Sequence, residues 1–336
     1  MKLCPKKSRK LSLLLVFGIL IFYSSCSKDK DSLSTGADTG EIILSPTTKD
    51  IILYAEVDNI QIPIYLSIPQ NCSNTDYPAI VLLHGSNGMW KDNDFESGVM
   101  SRQNNEWREI FDANCIVGAY VDSYSARGVT ARTGDLRIPP ENFKISAQFV
   151  RPKDANAALE LLRRIKFSNG NPLVRPKDIG LLGFSDGATA LAATLYDAKS
   201  TPINWEWTQK SDGIEYDSSD GVLAPQSVPL NGGFSGGVFY YGGTVGYSYW
   251  GNNPCSDNAI SDNIYEPYAP MLFQIPLNDE LTENTLCTVE LLQSKGHSVK
   301  LNLYDADHSF DHTDDTHSPL GRASTIDWFK NILKIN

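Results

Sequence analysis

The chain has 336 residues and a formal net charge of −11. That length suits one large domain with insertions. The first 25 residues carry five bases and no acid, so the rest is more acidic still. Such a body repels phosphate backbones, and no nucleic-acid partner is expected.

Residues 1–25 read as a targeting segment. Lys2, Lys6, Lys7, Arg9 and Lys10 precede 11–23, a stretch apolar apart from Ser12 and Gly18. It is too short to span a bilayer comfortably and suits a signal-peptide core. Ser24-Ser25-Cys26 follows, which resembles a bacterial lipoprotein signal with Cys26 acylated as the new N-terminus; Tyr23 departs from the usual leucine. Residues 26–41 are mostly Ser, Lys, Asp, Thr and Gly and read as a flexible tether. The expected location is the bacterial cell envelope. There the lipid would anchor the chain to a membrane, at the periplasmic or surface face of the outer membrane.

The body, 42–336, alternates strands and helices. Short apolar stretches at 42–44, 51–55 and 60–68 around the Asp58-Asn59 turn predict an antiparallel meander. Residues 79–83 form a continuous apolar run, as a buried parallel strand does. His84-Gly85-Ser86-Asn87-Gly88 comes next. Small residues after a strand let backbone N–H groups converge on one point, as an oxyanion hole requires. The N–H groups near Ser86 and of Asp186 are the candidate donors, and His84 reads as a packed turn residue. A helix is predicted over 102–113 and a strand over 116–121. The loop 122–128 then opens at the same sheet edge, which makes Tyr124 and Arg127 candidate pocket residues. A helix is predicted over 151–165, with Pro152 in its first turn.

Residues 178–188 read Asp-Ile-Gly-Leu-Leu-Gly-Phe-Ser-Asp-Gly-Ala. Strand, G-x-S-x-G, helix is the context of a nucleophile elbow, in which a strained turn lifts the Ser185 hydroxyl above the sheet edge. Polar residues 197–233 are expected to form an insertion over that edge, a partial lid that sets acyl preference. After a strand at 238–241, Tyr247, Tyr249 and Trp250 read either as half-buried packing or as an aromatic wall, with Trp250 the candidate pocket residue. Strands at 270–277 and 299–304 are followed by Asn278-Asp279-Glu280 and by Asp307-His308-Ser309-Phe310. Helices are predicted at 282–295 and 326–333. This alternation implies an α/β fold, a mostly parallel sheet covered on both faces.

Ser185, Asp279 and His308 occur in the order nucleophile, acid, histidine, which is the α/β-hydrolase order. Each follows a predicted strand, and parallel strands bring their C-terminal ends to one edge. A serine hydroxyl is a weak nucleophile near neutral pH. An imidazole with a pKa near about 6.5 can take its proton and later return it to the leaving group. A carboxylate fixes the imidazole tautomer. Glu280 competes with Asp279, and the shorter chain at the strand tip is preferred. Asp305, Asp307, His308, Asp311, His312, Asp314, Asp315 and His317 are dense enough to suggest a metal site. An acidic solvated loop is the commoner meaning, and neither metal nor cofactor is expected.

These residues carry a family resemblance. The body resembles the dienelactone hydrolase family of α/β-hydrolases. The matching pieces are His84-Gly85, Asp122-Ser123-Tyr124 with Arg127-Gly128, Arg151 with Asp154, Gly183 to Gly187, Asp279, and His308-Ser309-Phe310. The resemblance implies an eight-stranded, largely parallel sheet. The name-giving enzymes use cysteine as nucleophile where this chain has Ser185, which favours ordinary esters over dienelactone. Cys72, Cys115, Cys255 and Cys287 lie in the exported body, where disulfides are permitted. They allow three pairings, and Cys255 and Cys287 fall near the same edge, as a bridge or as two buried thiols. The expected activity is a serine hydrolase cleaving small-molecule or glycan-linked carboxylic esters through an acyl-enzyme. The alternative is a non-catalytic surface lipoprotein that keeps the fold for ligand binding.

Overall fold

The computed structural model describes residues 40–72, 76–131, 141–211, 213–244, 247–250, 254–255 and 263–335. All lie in the compact unit Ser34–Asn336. The expected signal peptide, Cys26 and the expected tether as far as residue 39 lie outside the described residues.

The strands run β1 (Ile42–Leu44), β2 (Asp50–Val57), β3 (Ile60–Ser67), β4 (Tyr77–Leu83), β5 (Val117–Val121) and β6 (Ile165–Phe167). They continue as β7 (Val174–Phe184), β8 (Gln209–Ser211), β9 (Ile214–Tyr216), β10 (Gly237–Tyr240), β11 (Met271–Asn278) and β12 (Val299–Asp307). The helices are α1 (Arg102–Ala113), α2 (Arg151–Arg164), α3 (Asp186–Leu195), α4 (Thr282–Ser294), α5 (Phe310–Thr313) and α6 (Ser318–Ile332).

Eight strands make the central sheet in the order β12-β11-β10-β7-β4-β5-β3-β2. Pairing is parallel from β12 through to β5 and antiparallel from β5 to β3 and β3 to β2. The sheet is therefore mixed at its N-terminal edge. The parallel strands read as continuous apolar runs because both of their faces are buried. In β4, Ala79, Val81 and Leu83 join one core, and Ile80 and Leu82 join the other. That alternation is the two-residue period of a strand. On one face lie apolar residues of α2, α3 and α4, such as Leu159, Leu191 and Val289. On the other lie Trp107 and Phe111 of α1 with Ile326 and Phe329 of α6.

Several boundaries depart from the expectations. β1 does not join a meander; it pairs parallel with β6 in a separate two-stranded sheet, and only β2 and β3 form the antiparallel hairpin. The final helix starts at Ser318, eight residues earlier than expected, with Pro319 in its first turn. Proline is tolerated there because the first helical N–H groups have no intrahelical acceptor. Both disulfides form, Cys72–Cys115 and Cys255–Cys287. Cys72–Cys115 closes 43 residues between the β3–β4 connection and the end of α1. A loop of that size restricts the unfolded chain by about 4 kcal/mol in the chain-entropy model. Replacing both cysteines by alanine should lower the unfolding free energy by about 2–4 kcal/mol. The check is a urea titration of the variant beside the native protein without reductant.

Candidate active site

The C-terminal ends of β4, β5, β7, β10, β11 and β12 share one edge. Ser185 stands between β7 and α3, with φ 51 and ψ −118. A non-glycine residue there carries strain of about 1–3 kcal/mol, which persists only when its surroundings enforce it. They do. The Ser185 N–H donates to the Tyr240 carbonyl at 2.9 Å, and its own carbonyl accepts from Ala188 and Thr189 at 2.9 and 3.2 Å. The flanking glycines are required by space. A Cβ on Gly183 would lie 2.3 Å from the Gly187 carbonyl oxygen, and one on Gly187 would lie 2.2 Å from that of Leu83.

His308 follows β12, and Asp279 follows β11. The His308 Nε2 lies 3.1 Å from Ser185 Oγ, and its Nδ1 lies 2.6 Å from Asp279 Oδ2. It is Asp279, and not the exposed Glu280, whose carboxylate meets the imidazole. The Asp279 side chain is 3% exposed, and the Leu281 N–H donates to its other oxygen at 3.0 Å. Burial pushes the Asp279 pKa up. Hydrogen bonds from His308 and Leu281 outweigh that and hold the carboxyl below its usual value. The Tyr241 ring packs against the imidazole at 4.6 Å between centroids.

The 84–88 loop lies against the elbow: a Cβ on Gly85 would sit 3.5 Å from that of Ser185. A fully buried guanidinium ties this loop to the residue after the serine. Arg151 Nη1 donates to Asp186 Oδ2 at 2.7 Å, and Nη2 donates to the His84 carbonyl at 2.6 Å. Tyr124 donates its hydroxyl to the same Asp186 oxygen at 3.2 Å, and its ring meets the His84 ring edge-on at 4.5 Å. Arg127 pairs with the buried Asp154 through two hydrogen bonds of 2.8 Å.

A cleft of about 370 Å³ opens over these groups. Ser185, His308 and Ser86 line it, with Trp90, Gln103, Tyr241, Ser309 and His312 among the others. Three expected pocket residues are not in its wall. Tyr124 is 1% exposed and lies behind Asp186; Arg127 is consumed by Asp154; Trp250 is 1% exposed and stacks on Tyr265 at 4.0 Å. Each is a residue that burial claimed first. The lid expectation also fails, for no described residue of 197–233 lines the cleft. That stretch packs instead through Trp207 on Tyr196 and Tyr247, and through Asn231 on Glu160 of α2.

Sequence reasoning missed Gln103 and Tyr241, and read Asp311 and His312 only as members of an acidic loop or metal cluster, not as part of the cleft. The available signals were His312 four places after His308, and Gln103 four places before Trp107 on one helix face. The acidic 305–317 stretch forms local pairs, His312 with Asp311 and His317 with Asp314. Among the described residues no group of three or more His, Cys, Asp or Glu side chains is placed to hold a metal ion.

No family model matches the chain, and no curated protein matches it. Solved structures do. A candidate dienelactone hydrolase from Klebsiella pneumoniae aligns over 83% of this chain and 97% of its own, at 14% identity and TM-score 0.51. Apo esterase 2 of Thermogutta terrifontis aligns over 84% of this chain and 94% of its own, at 16% identity and TM-score 0.53. The same esterase phosphonylated by cyclosarin aligns over 86% and 96%, at 16% identity and TM-score 0.53. The chain has the α/β-hydrolase fold. At such identities the likeness is one of fold.

His84 makes the fold acid-sensitive. Its burial, and then the charge of Arg151, push its pKa down to about 4. The native imidazole stays neutral while an unfolded one gains a proton below about 6.5. Its contribution is thus complete above that pH and is lost as pH falls towards 4. Unfolding free energy should drop by roughly 2 kcal/mol from this group between pH 7 and 4.5. Urea titrations across that range should show a shallower pH dependence in His84→Asn.

Proposed function

We propose that the protein is a serine esterase acting through Ser185, His308 and Asp279. The observation that carries this reading is the pair of contacts on one imidazole, 3.1 Å to Ser185 Oγ and 2.6 Å to Asp279 Oδ2. Nδ1 faces a carboxylate and carries the proton there, so Nε2 is free to accept one from the serine. Attack of Oγ on an ester carbonyl sends the hydroxyl proton to Nε2. The N–H groups of Ser86 and Asp186 are the proposed donors to the oxyanion. The start of α3, directly after Ser185, adds the favourable end of a helix dipole. The imidazolium then returns its proton to the leaving alkoxide, and an acyl-enzyme remains. Water enters by the same route in reverse, with His308 as base, and releases the acid.

The fold likeness to an esterase that exists in a phosphonylated form supports a nucleophile of this kind. The substrate class we assign is a small-molecule or glycan-linked carboxylic ester. A fluorophosphonate probe should label Ser185, and Ser185→Ala should lose the label and about 10⁴-fold or more of kcat on a nitrophenyl ester. A folded native protein that neither takes the probe nor cleaves any ester would point to ligand binding without catalysis.

We further propose that Cys26 is acylated and anchors the chain in the bacterial cell envelope. The support is the run of basic, apolar and small residues that leads up to it. Cys26→Ser should move the protein from the detergent phase to the aqueous phase on phase partitioning; retention in detergent would overturn the anchor.

A further inference from the structure

The wall of the cleft beside His308 is organised by one carboxylate that the proposed triad does not use. Asp311 is fully buried. It accepts from Gln103 Nε2 at 2.9 and 3.0 Å, from Trp107 Nε1 at 3.0 Å, from His312 Nδ1 at 3.0 Å and from the Tyr241 hydroxyl. Gln103 Nε2 also donates to the Tyr241 oxygen at 2.9 Å. A buried carboxylate this fully satisfied is a rigid anchor.

The anchoring decides which atoms face the cleft. Gln103 spends its amide nitrogen inward, and among the described residues nothing donates to its amide oxygen. His312 faces the carboxylate through Nδ1, which therefore carries the proton, and its Nε2 remains an acceptor. Both side chains line the cleft that holds Ser185. Two acceptors fixed on one wall call for donors on the substrate. The rest of the lining agrees: no aliphatic side chain is among it, and its aromatic members, Trp90, Phe184 and Tyr241, are each at most 4% exposed. A long acyl chain finds no aliphatic side chain to pack against here, whereas a hydroxylated group finds hydrogen-bond partners.

We infer that Gln103 and His312, held by Asp311, form a hydroxyl-binding subsite that selects esters of a polyol or sugar-like alcohol. This rests on the esterase reading and names its substrate class. Gln103 and His312 touch the substrate, and Asp311 is a positioning residue that acts through them.

The test compares glycerol monoacetate with propyl acetate, the same acyl group on an alcohol with and without hydroxyls. Native protein should favour the hydroxylated ester by about tenfold or more in kcat/KM, mostly through KM, as one or two hydrogen bonds predict. Gln103→Met and His312→Phe should each shrink that ratio several-fold. Equal cleavage of the two esters by the native protein overturns the subsite and leaves the esterase reading standing. So does a ratio unchanged in both folded variants. Cleavage of neither ester, without fluorophosphonate labelling, removes the esterase reading and the subsite with it. The native comparison decides even where a variant fails to fold.

Discussion

The site depends on how closely the chain passes itself at the elbow. The start of α3 runs so near the end of β4 that a side chain on Gly187 would meet the Leu83 carbonyl at 2.2 Å. That contact brings the turn carrying Ser185 against the loop that begins at His84. Neither loop could hold its geometry alone, because short connections between elements have many conformations. Together, packed with no room for a Cβ, they have few. The positive φ of Ser185 is tolerated because the strand before it, the helix after it and β4 beside it leave no relaxed alternative.

Buried charges then lock what the close approach begins. Arg151 sits at the start of α2 with no exposure, and one guanidinium bonds both the Asp186 side chain and the His84 backbone. Its Nε is buried without a hydrogen-bond partner, and burying a charge that is not fully paired is costly, so its contribution is to specificity of conformation more than to net stability. Arg127 with Asp154 repeats the device under the neighbouring loop. In the wall beside His308 Asp311 does so for Gln103, Tyr241 and His312. The edge that carries Ser185 is thus bracketed by paired ionic groups, and no aliphatic side chain lines the cleft it frames.

The aromatic residues have a different task. Tyr196, Trp207, Tyr247, Tyr249, Trp250 and Tyr265 pack ring against ring, stacked or edge-on, away from the cleft. They fix the polar stretch 197–233 to the body, which lacks enough aliphatic residues of its own to bury. Large rings provide much buried area at small entropic cost. This explains why a stretch that reads as a lid is seated on the body instead of over the serine.

Read along the chain alone, local chemistry determined a good deal. Continuous apolar runs marked β4, β7 and β11. The glycines around Ser185 marked the elbow, and the order of serine, aspartate and histidine, each at the end of a strand, marked one edge. These are periodicities and turn requirements, which act between residues near in sequence. Tertiary structure decided what depends on distant neighbours. β1 chose β6 over the hairpin beside it. Burial took Tyr124, Arg127 and Trp250 out of the pocket. A carboxylate at 311 recruited Gln103, some two hundred positions away, into the wall beside His308. No local pattern encodes such pairings, since they follow from which side chains the folded sheet brings within a hydrogen bond of each other.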